Sequence, residues 1–404
     1  MLDNMTFFTG RRATAVGSLV LAMGTLVLLQ TLLSPRYEAP MTDLGRDLVA
    51  GQAVNNGVNP YQQMAALQEE MPELQVSESA EDFWVAHSPL SIALARLIFN
   101  VAGDSAIDVG RIGGTAGVIA LLAWVLMGSG TRRVSPARMV SAGALAMSIG
   151  IESDIVWVQG AGLLGLLLGA VVYLCHSERR ALALAVMGFA VAWKPWCAPI
   201  ALFLPGRRMS RDVAGIATVA LLLTVVAAPF IGGWDSMRSW VTEAIPANTD
   251  AYLRYEWNVS LTGPYLGVFV GLLFFACVVL ACFLIRQRLT DVDRLRLGSI
   301  VILGFFPIVW VHYWTALSLL TLGQRESERL AVGIAFLFMA TPLVGTNPIA
   351  TKIGAGAAFL TVVALLLFDR SGDGTVSAES KGSYVGLGLL TQESTNVDQP
   401  KSQR

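Results

Sequence analysis

The sequence predicts an all-α, polytopic integral membrane protein of roughly nine to twelve transmembrane helices with a partly helical first extracytoplasmic loop. Three observations predict it. Of 404 residues, 54% are hydrophobic and 14% charged, where soluble domains carry about a quarter charged, and the mean hydropathy is +0.60. Apolar runs of spanning or near-spanning length recur along the chain. Arginine clusters punctuate one set of connections, the pattern that marks cytoplasmic loops. Helices are the element that fits, because alternating strand patterns are absent and hydrocarbon leaves no backbone polar group unsatisfied.

The first span reads from Ala13 to Leu33 behind Arg11 and Arg12, about the length that crosses a bilayer. No small-residue cleavage site follows it, so it reads as a retained helix. Further runs lie near 88–102, 112–129, 139–151, 155–175, 181–204, 213–231, 263–285, 297–322, 330–344 and 353–368. The arginines at 11–12, 132–138, 179–180, 207–211, 286–296 and 325–329 place those connections in the cytoplasm. Segments 34–87, 152–154, 232–258 and 345–349 are acidic or neutral and fall outside. The first of these holds nine acids and two arginines, and it is too long for a plain connector. Residues 1–370 thus read as one membrane domain. Residues 371–404, polar and rich in Gly, Ser and Gln, read as a disordered cytoplasmic tail.

Runs 181–204 and 297–322 each begin and end beside arginines, yet each is too short for two spans. A broken or re-entrant helix pair reconciles the two, with breaks near Lys194-Pro195 and between Pro307 and His312. The same parity conflict affects 88–129. The four cysteines, Cys175, Cys197, Cys277 and Cys282, sit in apolar runs without metal-ligand spacing and read as small core residues. A net charge of −1 without a basic patch excludes a nucleic-acid partner.

Chemistry concentrates in a few polar residues. Asp43 follows the first span by about ten residues, and a carboxylate at the membrane surface can take a proton from a sugar hydroxyl. Asp47 has the same claim on chemistry alone. A phosphate leaving group departs without an acid, so one base suffices where a glycosidase needs two carboxylates. Lys194 is one of four lysines, and it alone lies inside an apolar run, between Trp193 and Pro195. A cation there costs about 2.5–3.5 kcal/mol on insertion scales, which calls for a compensating anion such as a lipid phosphate. The bland reading is a lysine snorkelling to head groups beside tryptophans. His312 sits in the aromatic cluster with Trp310 and Trp314, suited to a membrane interface or a sugar face. His87, before Ser88-Pro89, is the other outward histidine. Tyr61 marks a turn after Pro60, and Asn258 and Ser260 stand where the outer loop re-enters the membrane. The Asn258-Val259-Ser260 triplet also matches the N-glycosylation pattern. No glycine-rich phosphate loop, metal-ligand cluster or Ser-His-Asp spacing stands out, so neither a cofactor nor an obligatory metal is expected.

In order, these residues resemble the polytopic glycosyltransferases of the GT-C type, and in particular glycosyltransferase family 87, the actinobacterial enzymes that use polyprenyl-phosphate sugars. The resemblance runs from about residue 40 to 320. It rests on Asp43-Leu44, Ala50, Gly57 and Tyr61, then His87-Ser88-Pro89-Leu90, Gln159-Gly160, Lys194-Pro195, Asn258 to Leu261 and Trp310 to His312. The family's second proline is missing at 87–90 and its asparagine at 157–160, so the chain is a divergent member by this reading. The resemblance implies that Asp43 is the base and that Lys194 and His312 stand near the donor phosphate. Tyr61, His87, Gln159, Asn258 and Trp310 are then positioning residues. It further implies a multi-pass cell-membrane enzyme whose active site faces the extracytoplasmic side. Its donor is a polyprenyl-phosphate sugar, with mannose ahead of arabinofuranose, and its acceptor is a glycolipid or polysaccharide of the cell envelope. The alternatives are a transporter or flippase of a lipid-linked sugar, for which internal repeats are missing, and a non-catalytic relative of the same fold.

Overall fold

A computed structural model describes residues 11–34, 42–71, 84–127, 134–204, 209–253, 258–285, 289–321, 326–341 and 347–368. The tail expected at 371–404 lies outside these residues, as do parts of the first loop and of the arginine clusters. The described chain is helical throughout. In order the helices are α1 (Arg11–Leu33), α2 (Asp43–Asn55), α3 (Met64–Glu70), α4 (Pro89–Ala102), α5 (Ala106–Met127), α6 (Pro136–Met147), α7 (Ile149–Trp157), α8 (Ala161–His176), α9 (Arg180–Trp193) and α10 (Met209–Ala227). There follow α11 (Trp234–Ser239), α12 (Ile245–Leu253), α13 (Gly263–Ile285), α14 (Asp291–Phe305), α15 (His312–Thr321), α16 (Glu326–Leu337) and α17 (Pro348–Phe368). Pairing among the described residues is limited to two isolated bridges, Gln63 with Trp84 and Ser148 with Ala340.

Apolar side chains on α1, α10 and α13 point outward, with Leu33 84%, Leu221 65% and Phe269 79% exposed. Such surface is tolerable only against lipid. Within the bundle α1 crosses α6, α6 packs on α16, α8 lies between α5, α9 and α15, and α9 packs on α10. At the first crossing Gly24 meets Gly143 so closely that a Cβ on Gly24 would stand 2.3 Å from the Gly143 carbonyl oxygen. Small residues allow this backbone approach in a solvent where apolar contact alone gives little drive.

Among the described residues four helices are long and apolar enough to cross a membrane: Arg12–Leu33, Pro89–Met127, Ser210–Ile231 and Pro348–Leu367. The pair α7–α8 adds a fifth if it counts as one span, bent by 114°. The other expected runs are realised as shorter or broken helices, so the sequence count of roughly nine to twelve spans is not matched by unbroken helices. Both expected breaks are present. Helix α9 stops at Trp193 and continues after Lys194 as a 3₁₀ segment, Pro195–Phe203, while α14 and α15 are separated at 306–311. Proline explains the position of each break, since it lacks an N–H and clashes with the preceding turn. A third break, unforeseen, divides α7 from α8 at Val158 and Gly160, both at positive φ. Residues 152–154, expected in a loop, are therefore helical.

The 39-residue stretch Pro89–Met127 is about twice what a bilayer requires. Its first part, α4, is occupied by the first loop. Asn55 donates to Asn100 at 2.8 Å and Arg96 donates to Asn55 at 2.8 Å, so α4 lies along α2. That leaves the 22 residues of α5, Ala106–Met127, as the part of spanning length. Helices α2 and α3, the 84–92 segment and the 231–244 stretch share a small core built on Tyr61, Met64, Leu67, Val85, Ile92 and Ala244.

Two arginines read as topology markers are also structural. Arg180 pairs with Asp212 across α9 and α10. Arg296, 1% exposed, pairs with Glu328 and donates to the Thr321 carbonyl, joining α14, α15 and α16. Of the cysteines, Cys197 is core, but Cys277 is exposed on α13. That helix is apolar on every face, so its sequence does not distinguish core from lipid-facing positions.

Candidate functional site

The site starts at the N-terminus of α2. The Thr42 hydroxyl accepts from the Gly45 amide at 2.9 Å and caps the helix, which leaves Asp43 in the first turn, where a negative charge suits the helix dipole. The helical repeat then puts Arg46 and Asp47 on the same face as Asp43. Arg46 pairs with Asp43, and its Nη1 donates to the Tyr252 hydroxyl of α12 at 2.9 Å. His87 stands between the two acids, with Nε2 3.3 Å from Asp43 Oδ2 and Nδ1 2.8 Å from Asp47 Oδ1.

The charges reinforce one another. Burial alone raises the Asp43 carboxyl, but His87 and Arg46 outweigh it and hold it well below the usual carboxylate range. For His87 burial acts downward, and the charges of Asp47 and Asp43 overcome it, lifting the imidazole to about 9. At neutral pH this is a carboxylate held by an imidazolium and a guanidinium.

Lys194 enters from the other side. It caps the C-terminus of α9, its amide donating to Ala190 O at 2.8 Å, and Pro195 prevents the helix from continuing. Its ammonium lies 5.9 Å from the centre of the Trp193 ring. It is near enough to act electrostatically on Asp43, Asp154 and His312, and it forms no ion pair among the described residues. The Ser88 hydroxyl donates to the Trp193 carbonyl at 2.9 Å and ties the His87 segment to the lysine cap. His312 opens α15, 8% exposed, with its ring edge-on to Tyr313. Tyr313 stacks on Trp196 with ring centres 3.8 Å apart. Trp310 meets Tyr252 edge-on at 5.2 Å.

Asp43, His87, Lys194 and His312 therefore converge from four separate stretches of chain, and Trp310 joins them through Tyr252. Gln159 sits at the α7–α8 break, its Oε1 buried without a hydrogen-bond partner. Tyr61 is placed differently. It is fully buried in the loop core, its hydroxyl unpartnered, and burial followed by the Asp47 charge pushes it well above its usual range. Asn258 is spent on the backbone. Its amide donates to Leu253 O and Pro307 O and accepts from Ser260 and Val309, so it staples the outer loop to the segment that carries Trp310. It offers no free group to a sugar.

Four residues outside the sequence selection belong to this arrangement. Arg46 completes an Asp-x-x-Arg-Asp pattern on one helix face, which was visible in the sequence. Asp47, the rival of Asp43 on chemistry alone, is its neighbour across His87. Tyr252 gave no signal, being remote in the chain. Asp154 accepts from the Ala161 and Gly162 amides, both at 2.7 Å, and so caps α8 at the bend. Gly160 at this bend has φ +70°, and a Cβ there would press on the Trp193 ring at 3.0 Å. Among the described residues, no group of three or more His, Cys, Asp or Glu has metal-binding geometry.

The model of glycosyltransferase family 87 matches residues 88–311, more than half of the chain. The match contains Gln159, Lys194, Asn258 and Trp310, and it begins one residue after His87 and ends one before His312. No curated protein matches the chain.

Proposed function

The chain belongs to glycosyltransferase family 87, and from that premise we propose that this membrane glycosyltransferase takes its sugar from a polyprenyl-phosphate carrier and delivers it to a cell-envelope glycolipid or polysaccharide. Mannose is the favoured sugar and arabinofuranose the next. The observation that carries the reading is the convergence of the Asp43 carboxylate with the Lys194 cation, unpaired among the described residues, at one end of α8, α9 and α15.

In this reading the acceptor hydroxyl approaches Asp43, which takes its proton as the oxygen attacks the anomeric carbon. The bond from that carbon to the phosphate oxygen breaks on the opposite face, and the product is inverted. The departing lipid phosphate needs no proton. Lys194, with His312 beside it, stabilises its charge. Asp43 and Asp47 are engaged by Arg46 and His87, while Lys194 makes no ion pair among the described residues and is the cation available to the anionic donor. Although its ion pairs make Asp43 a weak base, they keep it deprotonated. Each oxygen also keeps a further lone pair for the incoming hydroxyl.

The helix ends support one side of the membrane. Arg179 and Arg180 stand at the start of α9 and Lys194 at its finish. The positive-inside rule then supports an extracytoplasmic site, where lipid-linked rather than nucleotide-linked sugars are the donors. Incubation of the purified protein with polyprenyl-phosphate mannose, polyprenyl-phosphate arabinofuranose and nucleotide sugars, over a panel of lipoglycan acceptors, tests this. Transfer from a polyprenyl-phosphate sugar, lost in a folded Asp43→Asn variant, is expected. Transfer from a nucleotide sugar, or full activity of the variant, overturns the reading.

A further inference from the structure

His87 has a carboxylate on each side, and its backbone is fastened on each side as well. The Trp240 indole donates to Ala86 O at 3.2 Å, and the Ser88 hydroxyl donates to Trp193 O at 2.9 Å. Rotation of the imidazole is the freedom left to it. The shorter ring contact, 2.8 Å at Nδ1, is to Asp47, and the longer, 3.3 Å at Nε2, is to Asp43. A neutral imidazole has one donor nitrogen and one acceptor nitrogen, so one of these carboxylates would face a lone pair. Both contacts are hydrogen bonds only when both nitrogens carry a proton.

We propose that Asp47 is a positioning residue of the transfer reaction: it fixes His87 as an imidazolium with Nε2 directed at the Asp43 carboxylate, and thereby keeps that base ionised and oriented. The proposal rests on the assignment of Asp43 as the base. Asp47 acts through His87 and touches no reacting atom. Its side chain is 8% exposed, on the α2 face that also carries Asp43.

The charged and titratable groups around His87 all bear on this. From α2 they are Asp43, Asp47 and Arg46; Lys194 comes from the α9 cap and His312 from the start of α15. Asp47 supplies the largest of the attractions that lift the imidazole. Without it, burial and the cations Arg46 and Lys194 favour the neutral ring. Asp43 then meets a ring whose single N–H and orientation are no longer fixed from the Nδ1 side.

The chain has three histidines, so imidazole ¹⁵N resonances are few enough to follow in protein labelled only at histidine and held in lipid nanodiscs. The His87→Gln variant assigns the signal. In the parent, His87 stays doubly protonated through neutral pH and titrates near 9. In Asp47→Asn the midpoint falls by a unit or more, and in Asp47→Glu it recovers part of the way. In transfer assays, the alkaline limb of kcat moves down with it in Asp47→Asn, by about twofold in rate at pH 8 for a one-unit fall, while the KM for acceptor is unchanged. A parent His87 that is neutral at pH 7, or an Asp47→Asn midpoint equal to the parent's, overturns the proposal. If Asp47→Asn does not fold, the parent titration and Asp47→Glu still decide. The resonance experiment needs no substrate. Failure of every polyprenyl-phosphate donor would therefore count against the proposed function alone, and an unmoved His87 against the role of Asp47 alone.

Discussion

Replacing Asp154 with alanine removes the two acceptors that hold the first amides of α8, each now at 2.7 Å from a carboxyl oxygen. The residue is 2% exposed, so water does not readily take its place. An orphaned buried polar group costs about 1–3 kcal/mol, and two give about 2–6 kcal/mol. Loss of a single-bond helix cap costs about 1 kcal/mol, which sets the lower comparison. The backbone at the bend adds to the effect, because Val158 holds φ 52° and a β-branched residue there is strained unless its surroundings fix it. Thermal unfolding of parent, Asp154→Ala and Asp154→Asn in one detergent measures the cost. The alanine variant is expected to melt lowest and the asparagine variant between, since its amide keeps one oxygen to accept. Alanine melting with the parent, or asparagine melting below alanine, would refute the reasoning.

Three further outcomes follow from the same geometry. Lys194→Met is expected to lower kcat/KM for the lipid-linked donor by about 100-fold, the scale of one electrostatic stabiliser, with Lys194→Arg recovering part; a methionine variant with the parent's kcat/KM removes the lysine from the reaction. Arg296→Met removes the buried pair with Glu328 and the bond to the Thr321 carbonyl and is expected to lower the melting temperature, while the Arg296→Met/Glu328→Leu double variant regains part of the loss; a double variant less stable than either single one contradicts this. Because the folded imidazole of His87 is raised to about 9, the stability it supplies is complete below its unfolded value near 6.5 and is lost as pH rises through about 9, at most about 3 kcal/mol. The melting temperature should fall over that window in the parent and not in His87→Gln. Asp43, held low, contributes the opposite way, its share persisting above the ordinary carboxylate range and vanishing in strong acid.

What could be read from the chain was what proline, arginine and isolated polar residues announce locally. Lys194-Pro195 and Pro307 declare breaks because a missing N–H and a ring clash act on neighbouring residues. Asp43, His87, Lys194 and His312 stand out as polar groups amid apolar sequence. The site's wiring was less accessible. Tyr252 reaches Arg46 from 206 residues away, and no local pattern encodes such a contact. The α7–α8 bend was hidden because Val158 and Gly160 punctuate the run weakly, and the bend depends on an Asp154 cap. Span number is hard to read for a related reason. In a chain apolar on most faces, hydropathy does not separate a helix that crosses from one, like α4, that lies along a loop helix. Asn258 was selected for its place in a family pattern, yet the fold uses its amide to join two backbone segments.

The helices that carry the site are short. At 1.5 Å per residue, the 16 residues of α8 and the 14 of α9 rise about 24 Å and 21 Å, against a hydrocarbon layer of about 30 Å. If their far ends stand at the opposite surface, their working ends stop several ångströms beneath the head groups. Under the proposed function, a carrier lipid then has to sink its phosphate into a dimple, or the leaflet around the protein has to thin. Acyl-chain length in the surrounding membrane then becomes a determinant of turnover, because it sets how far the sugar must descend before it meets the acid.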